Sequence, residues 1–483
     1  MVGITSFGGY IPRLRLLRKS IVDAHSWADP SLRGKAKFER SMCNWDEDSV
    51  TMGVEAARDC IAPISLKSPD AIYFASTSMP FVDRQNAGII VEALSLGQDI
   101  ASLDIGSSQR AGTSALMQAL AAVKGGSYQN ALVVASDHRK TRPSSTQELA
   151  FGDGAAAVTI GTEHVILEYL GGHSTTVDFV DHFKGEGQQF DYNWEERWIR
   201  DEGYKKIIPP TIAQALAKTN LPAEAINHFV LPATIGRAAE TAAKAAGISS
   251  EILCDNLAQT CGDTGVAHPL IMLLNRMEED VRAGQLIMVA SFGQGCDVLI
   301  FRVTEHLAKM SKPNGIRGSL ANRQEESNYN RFLAFNRLID KEYGMRAERD
   351  NKTALTTLYR RRDMILGLVG GKCRQCGSPQ FPRQDVCVNP DCAAPHTQDP
   401  YSFVNENAKI QSWSADYLTY TMDPPSHYGM IVFDKGGRFM TDFTDVAVGE
   451  IDVGTAVRMV FRIKGFDERR GFVRYFWKAV PIR

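Results

Sequence analysis

Two groups of residues have the types and spacing to do chemistry. The first is the stretch Leu103 to Leu116, Leu-Asp-Ile-Gly-Ser-Ser-Gln-Arg-Ala-Gly-Thr-Ser-Ala-Leu. A short apolar run, a cluster of small residues and a helix-like run read as strand, tight turn and helix. Such an elbow pushes one side chain into a pocket, while the helix N-terminus aims N–H groups and positive dipole at the same spot. Acyl-transferring enzymes place a nucleophile there. Here the apex is Gln109, flanked by Ser108 and Arg110, and glutamine is no nucleophile. The second group is Cys373-x-x-Cys376 and Cys387-x4-Cys392, two pairs ten residues apart with glycine and proline between them. Thiolates at this spacing converge tetrahedrally on zinc, and a closed set of four reads as structural.

These residues need positioning elements. Residues 1–165 alternate strand-like and helix-like runs: strand Gly3–Ile11, helix Val50–Ile61, strand Ala71–Ala75, helix Asn86–Leu96, strand Leu103–Ile105, helix Thr113–Val123 and strand Ala131–Ser136. A glycine turn at Phe151-Gly152-Asp153-Gly154 then runs into a buried strand, with Asp153 expected to bind backbone. Residues 166–305 repeat the alternation: strand His164–Leu170, helix Pro209–Thr219, strand His228–Leu231, helix Arg237–Ala246, helix Ala267–Met277, and strands Gln285–Ser291 and Asp297–Val303. Two βαβαβ halves predict a layered α/β domain. Between them, 179–204 is aromatic and charged without a clean period, a long loop or cap of the kind that often carries function. Residues 306–371, with charged runs such as Asn322–Asn328 and Arg346–Lys352, read as a helical linker. A zinc ribbon over 372–400 and a small β-barrel over 401–483 complete the expected organisation; short runs such as Gly429–Phe433, Phe439–Phe443 and Val457–Ile463 are the barrel's strands.

Composition narrows the function classes. The 483 residues are 44% hydrophobic and 23% charged, with a net charge of −2, so nothing drives general binding to nucleic acid. No apolar run reaches the roughly 18 residues of a membrane span, and the N-terminus lacks the pattern of a signal peptide. Of nine cysteines, five are scattered, which points to a reducing, cytoplasmic setting with ordinary buried thiols rather than a disulfide framework. Cys254, Cys261 and Cys296 belong to that group, since none follows a small-residue elbow.

Residues 1–305 resemble the archaeal-type 3-hydroxy-3-methylglutaryl-CoA synthases of the thiolase superfamily, and more distantly the type III ketoacyl synthases. The residues that carry the resemblance are Gly8-Gly9-Tyr10-Ile11-Pro12, Asp46-Glu47-Asp48-Ser49, Val54-Glu55-Ala56-Ala57-Arg58 and Ala111-Gly112-Thr113. Further along come Gly152-Asp153-Gly154-Ala155-Ala156, Gly262-Asp263-Thr264 with Pro269-Leu270, and Ser291-Phe292-Gly293-Gln294-Gly295. The cysteine pairs, Phe381-Pro382-Arg383 and the strands from Ile410 resemble the zinc-ribbon/OB-fold domain that accompanies many thiolase-superfamily enzymes. The resemblance implies a thiolase-like fold, a coenzyme A thioester as substrate, a homodimer, and an OB domain that contacts protein, including a further subunit, and assists acyl-CoA binding.

The family's catalytic set does not carry over. Its cysteine falls at Gln109, its glutamate near Thr77, its histidine in Leu231-Pro232-Ala233-Thr234 and its asparagine at Asp263. What the fold still implies is a backbone oxyanion site from the apex and the loop Phe292–Cys296, with Ser108, Arg110, Phe292, Gly293 and Gly295 around it. Arg237 sits near the family's CoA-contacting basic residue. Proton transfer then falls to another group: Asp263, His268, Asp178, His182, Tyr192 or Tyr204. An aspartate in an apolar pocket has a raised pKa and can act as base, so Asp263 is expected to be such a group. His268 reads equally as a packed histidine capping the next helix, and Asp178 to Tyr204 as ordinary loop surface. The expected chemistry makes or breaks a C–C bond next to a CoA thioester through an enolate, as in a retro-aldol reaction of a 3-hydroxyacyl-CoA. Thiolase-like aldolases that pair with a zinc-ribbon/OB domain also lack the cysteine. Two alternatives stand beside it: a Claisen condensation by an unrecognised nucleophile, and a non-catalytic acyl-CoA-binding scaffold. Specificity for the acyl group is expected in 174–208 and in the barrel.

Overall fold

In a computed structural model of the chain, residues 1–64, 68–342 and 354–483 are described. The chain divides into two compact units. The first comprises Met1–Cys43, Asp48–Ala87 and Gln98–Phe332; the second comprises Asn44–Glu47, Gly88–Gly97 and Leu333–Arg483.

The first unit is built on a nine-stranded mixed sheet. Its strands are β1 (Gly3–Tyr10), β2 (Ala71–Ala75), β3 (Ala101–Ile105), β4 (Ala131–Asp137), β5 (Gly154–Gly161), β6 (Leu167–Thr176), β7 (His228–Val230), β8 (Leu286–Phe292) and β9 (Gly295–Val303). Their spatial order is β7-β8-β9-β6-β1-β5-β4-β2-β3. The two halves echo each other. In the first, the opening strand β1 pairs antiparallel with β5, and β4, β2 and β3 run parallel. In the second, β6 pairs antiparallel with β9, and β7 and β8 run parallel. Both faces are covered, which is why strands such as Leu132–Val134 and Met288–Ala290 are unbroken apolar runs.

Helices α1 (Ser49–Ile61), α2 (Ala111–Lys124), α3 (Lys205–Thr219) and α4 (His268–Met277) fill the layers. Asp48 caps α1: its carboxylate accepts the Thr51 N–H at 2.9 Å while the Thr51 hydroxyl accepts the Asp48 N–H at 2.8 Å. Ala115, Leu116, Ala119 and Leu120 of α2 share one core with Leu270, Ile271 and Leu274 of α4. Ile208, Ile212 and Leu216 of α3 join Phe229, Met288 and Ile300 in another. A side chain of this size contributes about 1.5–3 kcal/mol when fully buried.

Several expectations are corrected at their ends. The strand read at His164–Leu170 runs over Leu167–Thr176. Helix α3 begins at Lys205, before its two prolines, and continues a π-helical turn over Ile199–Tyr204. Pro209 and Pro210 have no N–H to give to the preceding turn, so a strict α-helix is locally weakened there. Residues 179–204 hold a small ribbon, His182–Phe183 against Tyr192–Asn193. The stretch 306–332, within the span read as linker, lies in the first unit: Gln324–Glu326 pairs parallel with Leu14–Leu16, and Ile316 is fully buried. Arg346–Lys352 falls outside the described residues.

In the second unit, Val369–Cys373, Pro379–Gln380 and Gln398–Ser402 form a three-stranded ribbon. After it come β10 (Ala408–Asp416), β11 (Ser426–Phe433), β12 (Arg438–Asp442), β13 (Ala456–Asp467) and β14 (Phe472–Pro481). Their order is β12-β11-β10-β13-β14. A parallel bridge between Phe443 and Ala479 brings the end of the β12 segment to β14 and closes the sheet. First-second-third-fifth-fourth-first is the strand circuit of an OB barrel. Side chains along β11 alternate between buried and half-buried, and Phe433, Phe461 and Trp477 fill the interior.

Candidate active site and metal-binding ribbon

β3 ends at Ile105, and the chain turns through Ser107, whose φ of +67° is in the left-handed region. That conformation costs a non-glycine residue about 1–2 kcal/mol. α2 follows at once. Gly112 lets it approach the loop before α4, since a Cβ there would lie 2.2 Å from the Val266 carbonyl oxygen. Gly293 abuts the apex in the same way, 3.2 Å from the Gln109 Cβ if it carried a Cβ of its own.

Arg110 locks this turn. Its guanidinium pairs with Asp297 at 2.7 Å, donates to the Gly293 carbonyl at 3.0 Å and reaches the Ser174 and Thr176 hydroxyls. The Ser108 hydroxyl also donates to the Gly293 carbonyl, at 3.0 Å. Ser108, Arg110, Gly293 and Gly295 therefore build the elbow and do not line the cavity in front of it. Gly293 N–H donates to the Gly295 carbonyl at 3.0 Å, so that loop does not offer this donor to an oxyanion.

The cavity has a volume of about 790 Å³. Gln109, Asp263, His268, Tyr204, Phe292 and Arg237, all singled out from the sequence, line it. Asp178 and Tyr192 do not; both are exposed. Thr77 is turned away, its hydroxyl donating to Asp137 at 2.9 Å.

Arg139, which sequence reasoning missed, organises the inner wall. Its guanidinium lies over the Phe151 ring at 3.7 Å, pairs with the Asp263 carboxylate at 3.1 Å and donates to the Asp263 carbonyl at 2.7 Å. Its other arm approaches Gln109 Oε1 at 3.4 Å. A guanidinium has only donors, so the Gln109 amide oxygen faces it and the amide NH₂ is free to face elsewhere. Burial pushes the Asp263 carboxyl up, but Arg139, His268 and the Gly265 N–H together bring it below the usual carboxylate range. The expected raised-pKa base is thus an ion-paired carboxylate.

His268 is also committed. Nδ1 accepts the Thr264 N–H at 3.3 Å and contacts the Thr264 hydroxyl at 3.0 Å, while Nε2 lies 3.0 Å from the Asn256 carbonyl. Burial lowers its pKa, and the neutral ring satisfies both contacts. Tyr204 donates to the Pro232 carbonyl at 3.1 Å, and burial, with Asp263 and Asp181 nearby, pushes its hydroxyl upward. It stays protonated.

His182 differs. Its Nδ1 lies 2.9 Å from Asp181 Oδ2, and Gln294 donates to Asp181 Oδ1 at 3.2 Å. His182 and Asp181 line the cavity, and Nε2 makes no hydrogen bond among the described residues. This is an imidazole oriented by a carboxylate, the arrangement of a general base. Adjacent Asp-His in an aromatic loop was the available signal. Cys254 is the cysteine on the cavity wall, its thiol pushed up to about 11 by burial. Cys261, off the wall, is pushed up to about 12 for the same reason. Arg18, Lys35 and Lys37 join Arg237 in giving the cavity basic groups.

In the ribbon, Cys373 Sγ and Cys392 Sγ are 3.9 Å apart and Cys376 Sγ and Cys387 Sγ 3.5 Å. All four sulfurs lie within 4.8 Å of one another. Metal–sulfur bonds of about 2.3 Å give a tetrahedron with edges of about 3.8 Å, so the donor set fits a tetrahedral thiophilic ion.

Known proteins share both parts. Residues 103–171 match 3-oxoacyl-[acyl-carrier-protein] synthase III, and residues 216–301 its C-terminal domain. Residues 366–395 match the ChsH2 rubredoxin-like zinc ribbon domain. The chain carries thiolase-superfamily domains and a ChsH2-type zinc ribbon. Hydroxymethylglutaryl-CoA synthase of Methanocaldococcus jannaschii is 25% identical over 346 residues, covering 70% of this chain and 99% of that protein. Its counterpart in Archaeoglobus fulgidus is 29% identical over 316 residues, covering 63% and 90%. Among solved structures, MvaS in complex with 3-hydroxy-3-methylglutaryl coenzyme A aligns with a TM-score of 0.60 at 16% identity, covering 83% of this chain and 99% of that one. FabH of Pseudomonas aeruginosa aligns at 0.57 and 17% identity, covering 63% and 98%. In this chain the elbow is a strand, turn and helix with an amide at its apex. No helix among the described residues is long and apolar enough to cross a membrane.

Proposed function

We propose that this chain cleaves or forms the C2–C3 bond of a 3-hydroxyacyl-CoA through a thioester enolate, without a covalent cysteine intermediate. The observation that carries the reading is the pairing, in one cavity, of a non-nucleophilic apex amide with an Asp181-oriented His182 whose Nε2 is unengaged. In the cleavage direction His182 Nε2 takes the 3-hydroxyl proton. The C2–C3 electron pair moves onto the thioester as a new carbonyl compound leaves. The Gln109 amide NH₂ and backbone N–H donate to the developing enolate oxygen, at the positive end of α2. One such preorganised donor is worth about 3 kcal/mol. His182 returns its proton to C2, so the shortened acyl-CoA leaves with all atoms accounted for. Arg139 holds Gln109 and Asp263 in place, and Tyr204 remains a hydrogen-bond donor. Arg237, Arg18, Lys35 and Lys37 suit the phosphates of coenzyme A.

A second reading keeps a Claisen condensation with Cys254 as nucleophile, because that thiol lines the cavity. Burial pushes this thiol up to about 11, so little of it is thiolate at pH 7. Intact-mass measurement after mixing with acyl-CoA separates the two: an acyl adduct on Cys254 would sink the non-covalent reading. Release of a carbonyl compound from a 3-hydroxyacyl-CoA, with no adduct, supports it.

The ribbon is proposed to hold one structural zinc on Cys373, Cys376, Cys387 and Cys392, closed to substrate. A homodimer is proposed through the sheet-edge strand β3, where Leu103 is 43% exposed. A further protein subunit could dock on the barrel, where Met440 is 62% exposed.

A further inference from the structure

A second cluster of metal-ligating side chains lies apart from the ribbon and is not part of the cavity wall. Cys43, His138 and Asp153 bring a sulfur, a ring nitrogen and a carboxylate oxygen within 4.8 Å of one another. Three strand ends deliver them: Cys43 follows Glu39–Met42, His138 follows β4, and Asp153 precedes β5. Cys43 and Asp153 are buried, whereas the His138 side chain is 16% exposed.

We propose that these three residues form a binding site for one borderline first-row divalent cation, such as zinc or cobalt(II), with the remaining coordination position open beside His138. Thiolate, imidazole and carboxylate are the three ligand types such ions take. With a neutral ring their summed charge is −2, matching the ion. His138 Nδ1 and Asp153 Oδ1 are 3.1 Å apart, close to the edge of about 3.3 Å that bonds of about 2.0 Å give in a tetrahedron. The other carboxylate oxygen, Oδ2, accepts the Cys43 N–H at 2.8 Å and faces the Arg40 guanidinium at 3.9 Å. Such contacts to the non-ligating oxygen orient a ligand from behind. Arg40 opposes a cation by its charge; its Nε and Nη1 donate to the Ser41 and Glu148 carbonyls, and Nη2 is the arm that faces Asp153. Met52 Sδ, 3.6 Å from Cys43 Sγ, adds a soft atom next to the thiol.

A thiol, an imidazole and a carboxylate are also the parts of a nucleophilic triad. Burial of Cys43 and its separation from the cavity disfavour that use. On metal binding, the Cys43 S–H bond breaks, its proton goes to solvent and the S–metal bond forms. The proton between His138 Nδ1 and Asp153 relocates to Nε2, so the ring stays neutral. Binding therefore releases one proton and strengthens with pH.

The test is a cobalt(II) titration of the chelator-treated full chain, followed by visible absorbance. Wild type should take two equivalents, one with the intense charge-transfer bands of four thiolates and one with weaker bands from a single thiolate. His138→Ala, at the most exposed ligand, should take one, with its melting curve showing a folded protein. Cys376→Ser with Cys392→Ser should also take one, at the second site. Saturation of wild type at one equivalent, or two equivalents retained in His138→Ala, would overturn the site.

Discussion

If His182 accepts the substrate hydroxyl proton, removing its ring removes that step while the cavity keeps its shape. His182→Ala should lower the rate of carbonyl release by about 10²–10⁴ with little change in KM, measured by single-turnover kinetics. Asp181→Asn should also lower the rate, because it removes the charge that orients the ring and stabilises its protonated form. His268 has a different fate. Its pKa in the folded chain lies below the ordinary 6.5, so between those values the unfolded chain binds the extra proton. Stability through this group is full above pH 6.5 and falls as the pH drops below that value, at up to about 1.4 kcal/mol per pH unit. Urea midpoints across pH 5–8 should show the slope, and His268→Asn should flatten it. Asp263 acts in a separate window: its depressed pKa supports the fold above about pH 4, and that support is lost only on further acidification. At this scale the sequence was legible where chemistry is local. Gln109 is read from the elbow's own residues. His182 was visible only as one candidate among six, since what selects it is Gln294 holding Asp181, 113 residues away. Arg139 follows a buried strand in the charged run Asp137-His138-Arg139-Lys140, a place where α/β sheets put functional groups. Nothing in the run tells which of its members turns toward Asp263.

The elbow depends on a contact between elements that lie far apart in sequence. Arg110 at the start of α2 is half-buried and paired with the buried Asp297 of β9, whose carboxylate also accepts the Thr113 and Ser114 hydroxyls. Breaking one partner of such a pair costs about 3–5 kcal/mol, because the other charge is left buried. Arg110→Ala should therefore lower the free energy of unfolding by up to that amount, measured from the shift of the denaturant midpoint. Gly293→Ala acts more locally. Its methyl would press on Ser108 Oγ, the Arg110 nitrogen and Gln109 Cβ at 3.1–3.2 Å. The apex must shift by a few tenths of an ångström, so activity should fall at least tenfold while the melting temperature moves by only a few degrees. α2 was legible because it buries one consistent face, and β4 because it is a continuous apolar run covered on both sides. The region 179–204 was not, since its ribbon and π-turn are held by stacking of Phe179 on Trp194 and by tilted packing of Tyr204 on Phe292. Those contacts are tertiary and leave no period. The 306–332 stretch misled for a related reason: its charged face is solvated, and a few residues such as Ile316 and Phe332 anchor it.

At the scale of the molecule, the cysteine quartet is the place where a bound metal would decide whether one part folds. Between residues 372 and 400 the buried apolar side chains are Cys373, Cys387 and Ala394, and two of these three belong to the cysteine quartet. The strands around them contribute only short ladders, such as Gly371 and Lys372 against Gln380 and Pro379. A segment this size cannot offset its chain entropy by burial, which is about 1–2 kcal/mol per residue for the backbone alone. A structural zinc supplies roughly 10–16 kcal/mol of binding free energy, a substantial share of what the segment lacks. The barrel and the sheet domain have cores of their own, built on Trp477 and Phe461 in one and on Leu270 and Leu116 in the other. Removal of the metal should therefore act selectively. In hydrogen exchange followed by mass spectrometry, a chelator or Cys376→Ser with Cys392→Ser should erase protection over 369–402. Protection in β4, β8 and α4 should persist, and carbonyl release from the cavity should continue when assayed before aggregation. Uniform loss of protection through the nine-stranded sheet would instead mean that the ribbon supports the fold of the whole chain.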